Sequence, residues 1–269
     1  MNPIRRYTLR FSITSLGLGI SLYIASRISR ILNVQILSFV GLILLYLITT
    51  YAVFPFLVRL YTRHSKHIKQ IQRYTRSADG MPTDPINVLL VGTQEQIEGV
   101  FRKIGWHVAD DLNFKTSLKM TKSFVFRKDY PTAPFSWLYF DGRKQDIGFQ
   151  KAIGGDPRKR HHVRYWRFPV DATYKYPELT QWLEQNTIPD DAEVWVGAGT
   201  KDTGFGVTKF TWQISHAVDK DANQERDHIV AELQKTGQLS AVKKLAPPKG
   251  HVFTRSFTTD GVVSAALLK

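Results

Sequence analysis

Residues 154–167, GGDPRKRHHVRYWR, hold the densest set of groups in this chain able to bind an anion or move a proton. Gly154-Gly155-Asp156-Pro157 reads as a turn, and the residues after it run into a strand. With a strand's period of two, Arg160, His162, Arg164 and Trp166 point one way, and His161, Val163 and Tyr165 the other. Cationic or titratable groups at steps of about 6–7 Å on one strand face suit phosphate or carboxylate oxygens. Arginine binds such oxygens bidentately, so Arg158, Arg160 and Arg164 are candidate phosphate ligands. His162 titrates near neutral pH and is a candidate nucleophile or general acid. The same pattern also reads as a charged sheet face neutralised by acids from 219–227, with His161 a hydrogen-bonded core histidine.

A second set runs from Ile214 to Asp221 (ISHAVDKD) and on to Glu225-Arg226-Asp227. His216 joins His162 as a catalytic candidate. Asp219 and Asp221, three and five residues after it, can orient a histidine or ligate a divalent metal. Aspartates at a loop-to-helix junction serve equally as caps, so the cofactor stays open between a divalent metal and none. Asp219–Asn223 begins like a calcium loop, but Gln224 replaces the required Gly and Val230 the closing Glu, which excludes an EF-hand. Gly199–Gly206 is glycine-rich between two strands and is most simply a hairpin loop. A phosphate cradle there would need a helix N-terminus after it. The sequence has no Walker A, GxSxG, HExxH or GxGxxG string. With no Cys at all, it has no disulfides, thiolate metal sites or thiol nucleophile.

These groups need a scaffold, and the pattern from residue 86 onward supplies one. Asn87–Gly92 (NVLLVG) predicts a buried strand. Thr93-x-x-Gln96 is a capping box opening a helix with Ile97, Val100, Phe101 and Ile104 on one face, closed by Gly105. Ser117–Phe126 predicts a further helix, and Ala222–Thr236 another, closed by Gly237. Phe135–Phe140, Val163–Phe168, Glu193–Gly197 and Val207–Val218 read as strands. His251–Phe257 and Gly261–Leu268 read as a terminal hairpin around Thr259-Asp260. The expected fold of 86–269 is α/β or α+β, a mixed sheet flanked by helices.

The chain has 269 residues and a formal charge of +14, and the charge is lopsided. Residues 1–78 hold 11 Lys/Arg and no acid, and residues 79–269 carry the remaining balance of only +3. That small surplus, without a nucleic-acid-binding motif, argues against nucleic acid as a partner. The basic segment is instead hydrophobic. Arg10 and Arg27 enclose 16 uncharged residues, and Arg30 and Arg59 enclose 28. A span takes about 20 residues, so 34–58 is read as a transmembrane helix. The 16 uncharged residues of the first stretch, read as a span over about 9–26, reach only ~24 Å as a helix. It reads as the other half of a hairpin, with a signal peptide or an interfacial helix as alternatives. In a hairpin, nine basic residues flank one side and two the other, which places the C-terminal domain in the cytoplasm. Residues 1–60 are thus a membrane anchor. Residues 61–85 are a basic juxtamembrane helix, with Arg63, Lys66, Lys69, Arg73 and Arg76 on one face against anionic lipid, and then a linker.

From the second apolar helix to the C-terminus the sequence resembles the LssY C-terminal domain family of bacterial membrane proteins. The matching strings include LLYLITTYAVFPFLVRLY, ADGMPTDPINVLLVGT, YPTAPFSWLYFDGRKQDIGFQKAIGGDPRKRHHVRYWR, VWVGAGTKDTGFGV and ISHAVDKDANQERDHIVAEL. They cover most of 38–269, and GRKQD and PRxRHHVRxW are the specific ones. The first hydrophobic stretch and residues 169–190 look longer than the pattern. The resemblance implies no defined activity. In some relatives the domain follows DedA-like membrane segments and a type 2 phosphatidic-acid-phosphatase module, which implies lipid-phosphate or envelope biology. The resulting expectation is a membrane-tethered domain that binds a phosphorylated lipid-linked ligand, with hydrolysis of that ligand left open. The alternative is a non-catalytic accessory that docks on a membrane-protein partner through the same basic face.

Overall fold

The computed structural model describes residues 35–69, 71, 73–126, 128–169, 177–207, 213–247, 249–250, 252–254 and 256–269, with Gly19, Ile20, Tyr23, Ile24, Ser26 and Arg27 before them. The expected first span over 9–26 lies mostly outside the described residues. Two compact units divide the chain: one takes residues 1–64 and 205–215, the other 65–204 and 216–269.

In the smaller unit, helix α1 (Gln35–Ile48) runs through a π-turn (Thr49–Val53) into α2 (Phe54–His64). Of this length, Phe39–His64 is long and apolar enough to cross a membrane. Proline causes the π-turn. Pro55 has no N–H to give, and its ring crowds the preceding turn. The Phe54 N–H reaches back to the Thr49 carbonyl, so the Thr50 carbonyl loses both its α and its π donor. The side chain of Gln213 replaces them, its Nε2 donating to Thr50 O at 3.0 Å. A buried orphan carbonyl in an apolar helix is costly, and a side-chain amide is a fitting partner.

The larger unit is an α+β domain with two sheets. The small sheet orders β1 (Tyr74–Arg76), β2 (Pro82–Pro85), β5 (Tyr139–Phe140) and β6 (Arg143–Lys144) as β2-β1-β5-β6. The large sheet contains β3 (Val88–Gly92), β4 (His107–Val108), β7 (Ile147–Ile153), β8 (Asp156–Phe168), β9 (Glu193–Val207), β10 (Ile214–Val218), β11 (Lys243–Leu245) and β12 (Val263–Leu267). Its order is β11-β12-β3-β9-β8-β7-β4, with β10 on β9. The β12–β3 pair is parallel and the sheet is therefore mixed, as the sequence predicts.

Both faces of β3 are buried, which is why it reads as an unbroken apolar run. Leu89 and Val91 join a core with Trp166, Val194, Val196 and helix α6 (Pro177–Glu184). Val88 and Leu90 join a second core with Phe149, Val163, Tyr165 and helices α4 (Gln94–Lys103) and α7 (Ala222–Gln234). The capping box at Thr93 and Gln96 forms as expected. The remaining helices are α3 (Lys66–Lys69) and α5 (Phe114–Phe126).

Four expectations change. Residues 199–206, expected as a hairpin loop, lie inside the continuous strand β9. The basic helix over 59–76 ends at His64, apart from the single turn of α3, because Ile68 and Ile71 turn into the domain core. Arg73 then adopts a left-handed φ of 58° and the chain enters β1. Two of the five basic residues on the expected lipid face are spent inside the domain, while Arg63 and Lys66 stay exposed: Arg73 pairs with Glu178, and Arg76 donates to the carbonyls of Gly80, Ile68 and Ile71. The linker 77–85 contains a strand, β2. The terminal hairpin is absent among the described residues. Its second arm, β12, is buried on both faces and lies between β3 and β11, while the first arm holds no described strand.

Candidate functional site

The two-residue turn Gly154-Gly155, with φ of 61° and 71°, closes the β7–β8 hairpin. It fixes the register that aligns the polar residues in rows across three strands. Gln150, His162 and Thr200 form one row, and Ala152, Arg160 and Asp202 the next. Gly148, Arg164 and Ala198 form the third. The small residues of that third row make room. A Cβ on Gly148 would collide with the ring of Phe135, which lies over the row. The Phe135 ring centre is 4.5 Å from the Arg164 guanidinium carbon and 5.7 Å from the His162 ring.

Asp202 is the hub. Arg160 donates to its Oδ2 through Nε (3.3 Å) and Nη2 (3.0 Å). His162 Nδ1 lies 3.6 Å from its Oδ1, and His216 Nδ1 lies 3.5 Å from its Oδ2. Arg160 also donates through Nη1 to Gln150 Oε1 (2.7 Å), whose amide Nε2 is held by the Ala133 carbonyl. Arg164 Nη1 donates to Asp84 Oδ2 at 3.0 Å. Thr200 Oγ1 joins the two pairs, 2.8 Å from His162 Nε2 and 3.5 Å from Asp84 Oδ2. Two buried atoms, His162 Nδ1 and Arg164 Nε, have no hydrogen-bond partner among the described residues.

Burial sets the protonation states. It pushes the His162 imidazole well below its usual range, helped by Arg164 and Arg160. It pushes His216 down to about 4, with Arg160 and Arg164 adding to the shift. It raises Asp84 and Asp202, against the pull of the arginines. Two arginines, two aspartates and two neutral imidazoles therefore balance their charge internally. His216 is the most accessible member, with 22% of its side chain exposed, whereas His162, Arg160, Arg164, Asp84 and Asp202 all fall below a tenth. A neutral imidazole at the surface, backed by a buried carboxylate, is suited to take up a proton and to have the resulting cation stabilised.

The structure thus brings together Arg160, His162, Arg164 and His216. Arg158 stands apart on the same strand, its Nε and Nη2 held by Asp156 at 2.9 and 2.8 Å. Asp219 and Asp221 also stand apart. Asp221 caps α7, accepting from the backbone N–H groups of Asn223 and Gln224, and Asp219 accepts from the N–H of Asp221. Among the described residues no group of three or more histidine and carboxylate side chains is arranged to hold a metal ion. His161 faces the other side of the sheet, where its Nδ1 pairs with Glu225 at 2.8 Å. That pairing matches the core-histidine reading, whereas the acids that neutralise the Arg160–Arg164 face are Asp202 and Asp84 and not residues of 219–227.

Reasoning on the sequence missed Asp202, Thr200, Asp84 and Gln150. Thr200 and Asp202 alternate with Lys201 and share a face in a strand of period two, a signal that the glycine-rich hairpin reading hid. Asp84 sits in the segment read as linker and gives no local signal. Its partner Arg164 is 80 residues away.

No curated protein and no solved structure matches the chain. A family model, LssY C-terminus, matches residues 68–265, a segment that contains every residue of the polar cluster and both sheets except the last two residues of β12. The chain belongs to the LssY C-terminus family.

Proposed function

We propose that the protein is a membrane-tethered domain that acts on a phosphorylated, lipid-linked ligand, with His216 as the proton-transferring group. The observation that carries this reading is the arrangement of two neutral imidazoles with Nδ1 beside one carboxylate, Asp202, with only His216 reaching the surface. Perturbed titratable groups gathered around one point mark functional sites more often than structural ones. In the hydrolytic step, water attacks the phosphorus and loses a proton to His216. The bond from phosphorus to the ester oxygen breaks, and the proton returns to that oxygen. Asp202 stabilises the transient imidazolium. An arriving phosphate dianion lifts the low pKa of His216 towards neutrality and makes it a better base.

Arg160 and Arg164 already hold carboxylates, so the ligand would meet them by exchange, and the buried Nε of Arg164 has no hydrogen-bond partner among the described residues. The charge balance also favours a second reading, a non-catalytic accessory that docks on a membrane-protein partner with the cluster as an internal strut. A cytoplasmic position for the domain rests on the 9:2 split of basic flanks and needs the first apolar stretch to span. A side-specific reporter at the C-terminus tests that position. Phosphate release from lipid phosphates and lipid pyrophosphates by the full chain, beside His216→Ala and Asp202→Asn, tests the activity. Turnover lost in both folded variants is the expected result. A lack of turnover in the native chain across the panel favours the accessory.

A further inference from the structure

Helix α5 has a solvent face unlike the other helices of the domain. Its sequence, FKTSLKMTKSFVF, contains three lysines and no acid. Phe114 is 86% exposed, Phe126 67% and Leu118 46%. Lys115, Lys119 and Lys122 are exposed as well. At 100° per residue, Phe114, Leu118, Lys122, Lys115, Phe126 and Lys119 fall within one arc of about 140°. Just past Lys119 on the helix wheel Ser123 is buried, and Thr116, Ser117 and Met120 beyond it are half-buried. Large apolar side chains on a water-facing arc are costly for a soluble surface, and interleaved lysines are what an anionic bilayer interface selects. Asp110 and Asp111 precede the helix, and Asp110 accepts the Tyr130 hydroxyl at 2.5 Å, beside the ring that Lys119 covers at 3.9 Å.

We propose that α5 lies on the surface of an anionic membrane, with Phe114, Leu118 and Phe126 among the lipid chains and Lys115, Lys119 and Lys122 at the headgroups. Charge complementarity selects the occupant. An apolar protein groove would offer no partner to Lys115 and Lys122, whereas an anionic leaflet satisfies both kinds of side chain. A chain that carries a membrane-spanning segment keeps such a surface within tether reach of a bilayer. The inference is independent of any chemistry at His216.

The absence of cysteine makes the test clean, because Leu118→Cys gives a single labelling site. The full chain carrying an environment-sensitive fluorophore there is reconstituted into phosphatidylcholine vesicles with or without phosphatidylglycerol, each doped with nitroxide lipids. Blue-shifted, quenched emission in the phosphatidylglycerol vesicles is expected. That signal should fall by more than half in phosphatidylcholine alone and in the folded triple variant Lys115→Glu/Lys119→Glu/Lys122→Glu. Water-like, unquenched emission in phosphatidylglycerol overturns the proposal. Equal quenching in both lipids, or in the triple variant, overturns its anionic selectivity.

Discussion

On one face of the β8–β9 ladder, Trp166, Phe168, Val194, Val196 and Ala198 occupy one end and Arg160, His162, Arg164, Thr200 and Asp202 the other. The two ends share strands, register and burial, and differ only in chemistry. The apolar end gains roughly 25 cal/mol for each Å² withdrawn from water. The polar end must first desolvate four charges, and its ion pairs do little more than offset that cost. An apolar replacement of similar shape would fold as well or better. The difference teaches that folding accounts for the first end and leaves the second in need of another reason. The proton-transfer role proposed for Asp202 and His216 would supply one.

The largest expected effects break the two ends separately. Trp166→Ala should destabilise the domain by about 3–5 kcal/mol through the cavity it leaves. Asp202→Ala should cost about 3–5 kcal/mol as well, because it strands the Arg160 charge in the interior. The contrast lies in rescue. Arg160→Met/Asp202→Leu should return stability to within about 1–2 kcal/mol of the native chain, or exceed it. Denaturation of the full chain in detergent, followed by tryptophan fluorescence, measures all three. A double variant as unstable as Asp202→Ala would show that the polar end is a stability element after all.

Acid sharpens the comparison. His216 has a pKa of about 4 in the folded domain against 6.5 when exposed. Between those values the unfolded chain binds more protons, so this residue's contribution is complete above pH 6.5 and is lost as pH falls towards 4. The loss should reach about 2 kcal/mol at pH 5. Asp84 and Asp202 act in the opposite sense, since burial raises their pKa values and favours the protonated folded form in acid. Comparing native chain with His216→Gln at pH 7.5 and 5 cancels the aspartates to first order. The variant should lose less stability on acidification, and an identical loss would contradict the placement of His216.

Smaller effects are expected outside the cluster. Asp221→Ala should cost about 1 kcal/mol through the lost helix cap, equally with and without divalent cations. A cation-dependent loss would return Asp221 to a metal site. Arg158→Ala should leave the melting temperature unchanged, because its partner Asp156 is two residues away at the start of the same strand and the pair is partly open to solvent.

Much of this arrangement is legible in local pattern. The period of two puts Arg160, His162 and Arg164 on one face, and Ile97, Val100 and Phe101 announce a buried helix face that the structure contains. What local pattern cannot carry is register between distant strands. Asp202 meets Arg160 only because β8 and β9 pair across 42 residues, and Asp84 reaches Arg164 across 80. The same limit explains β12, whose parallel pairing with β3 joins opposite ends of the domain. Basic residues at intervals of three and four misled for a different reason. That spacing fits a lipid-facing helix, yet it also arises where Arg73 and Arg76 turn inward to satisfy a carboxylate and backbone carbonyls.

The most direct test of the proton-transfer site pairs two readings on one variant. Phosphate release from lipid phosphates and thermal melting at pH 7.5 are measured for the native full chain and for His216→Ala. Native turnover that disappears in a variant melting within a few degrees of the native chain is the predicted result. Turnover that survives the substitution would contradict the account, and so would a native chain inert on every lipid phosphate and pyrophosphate supplied.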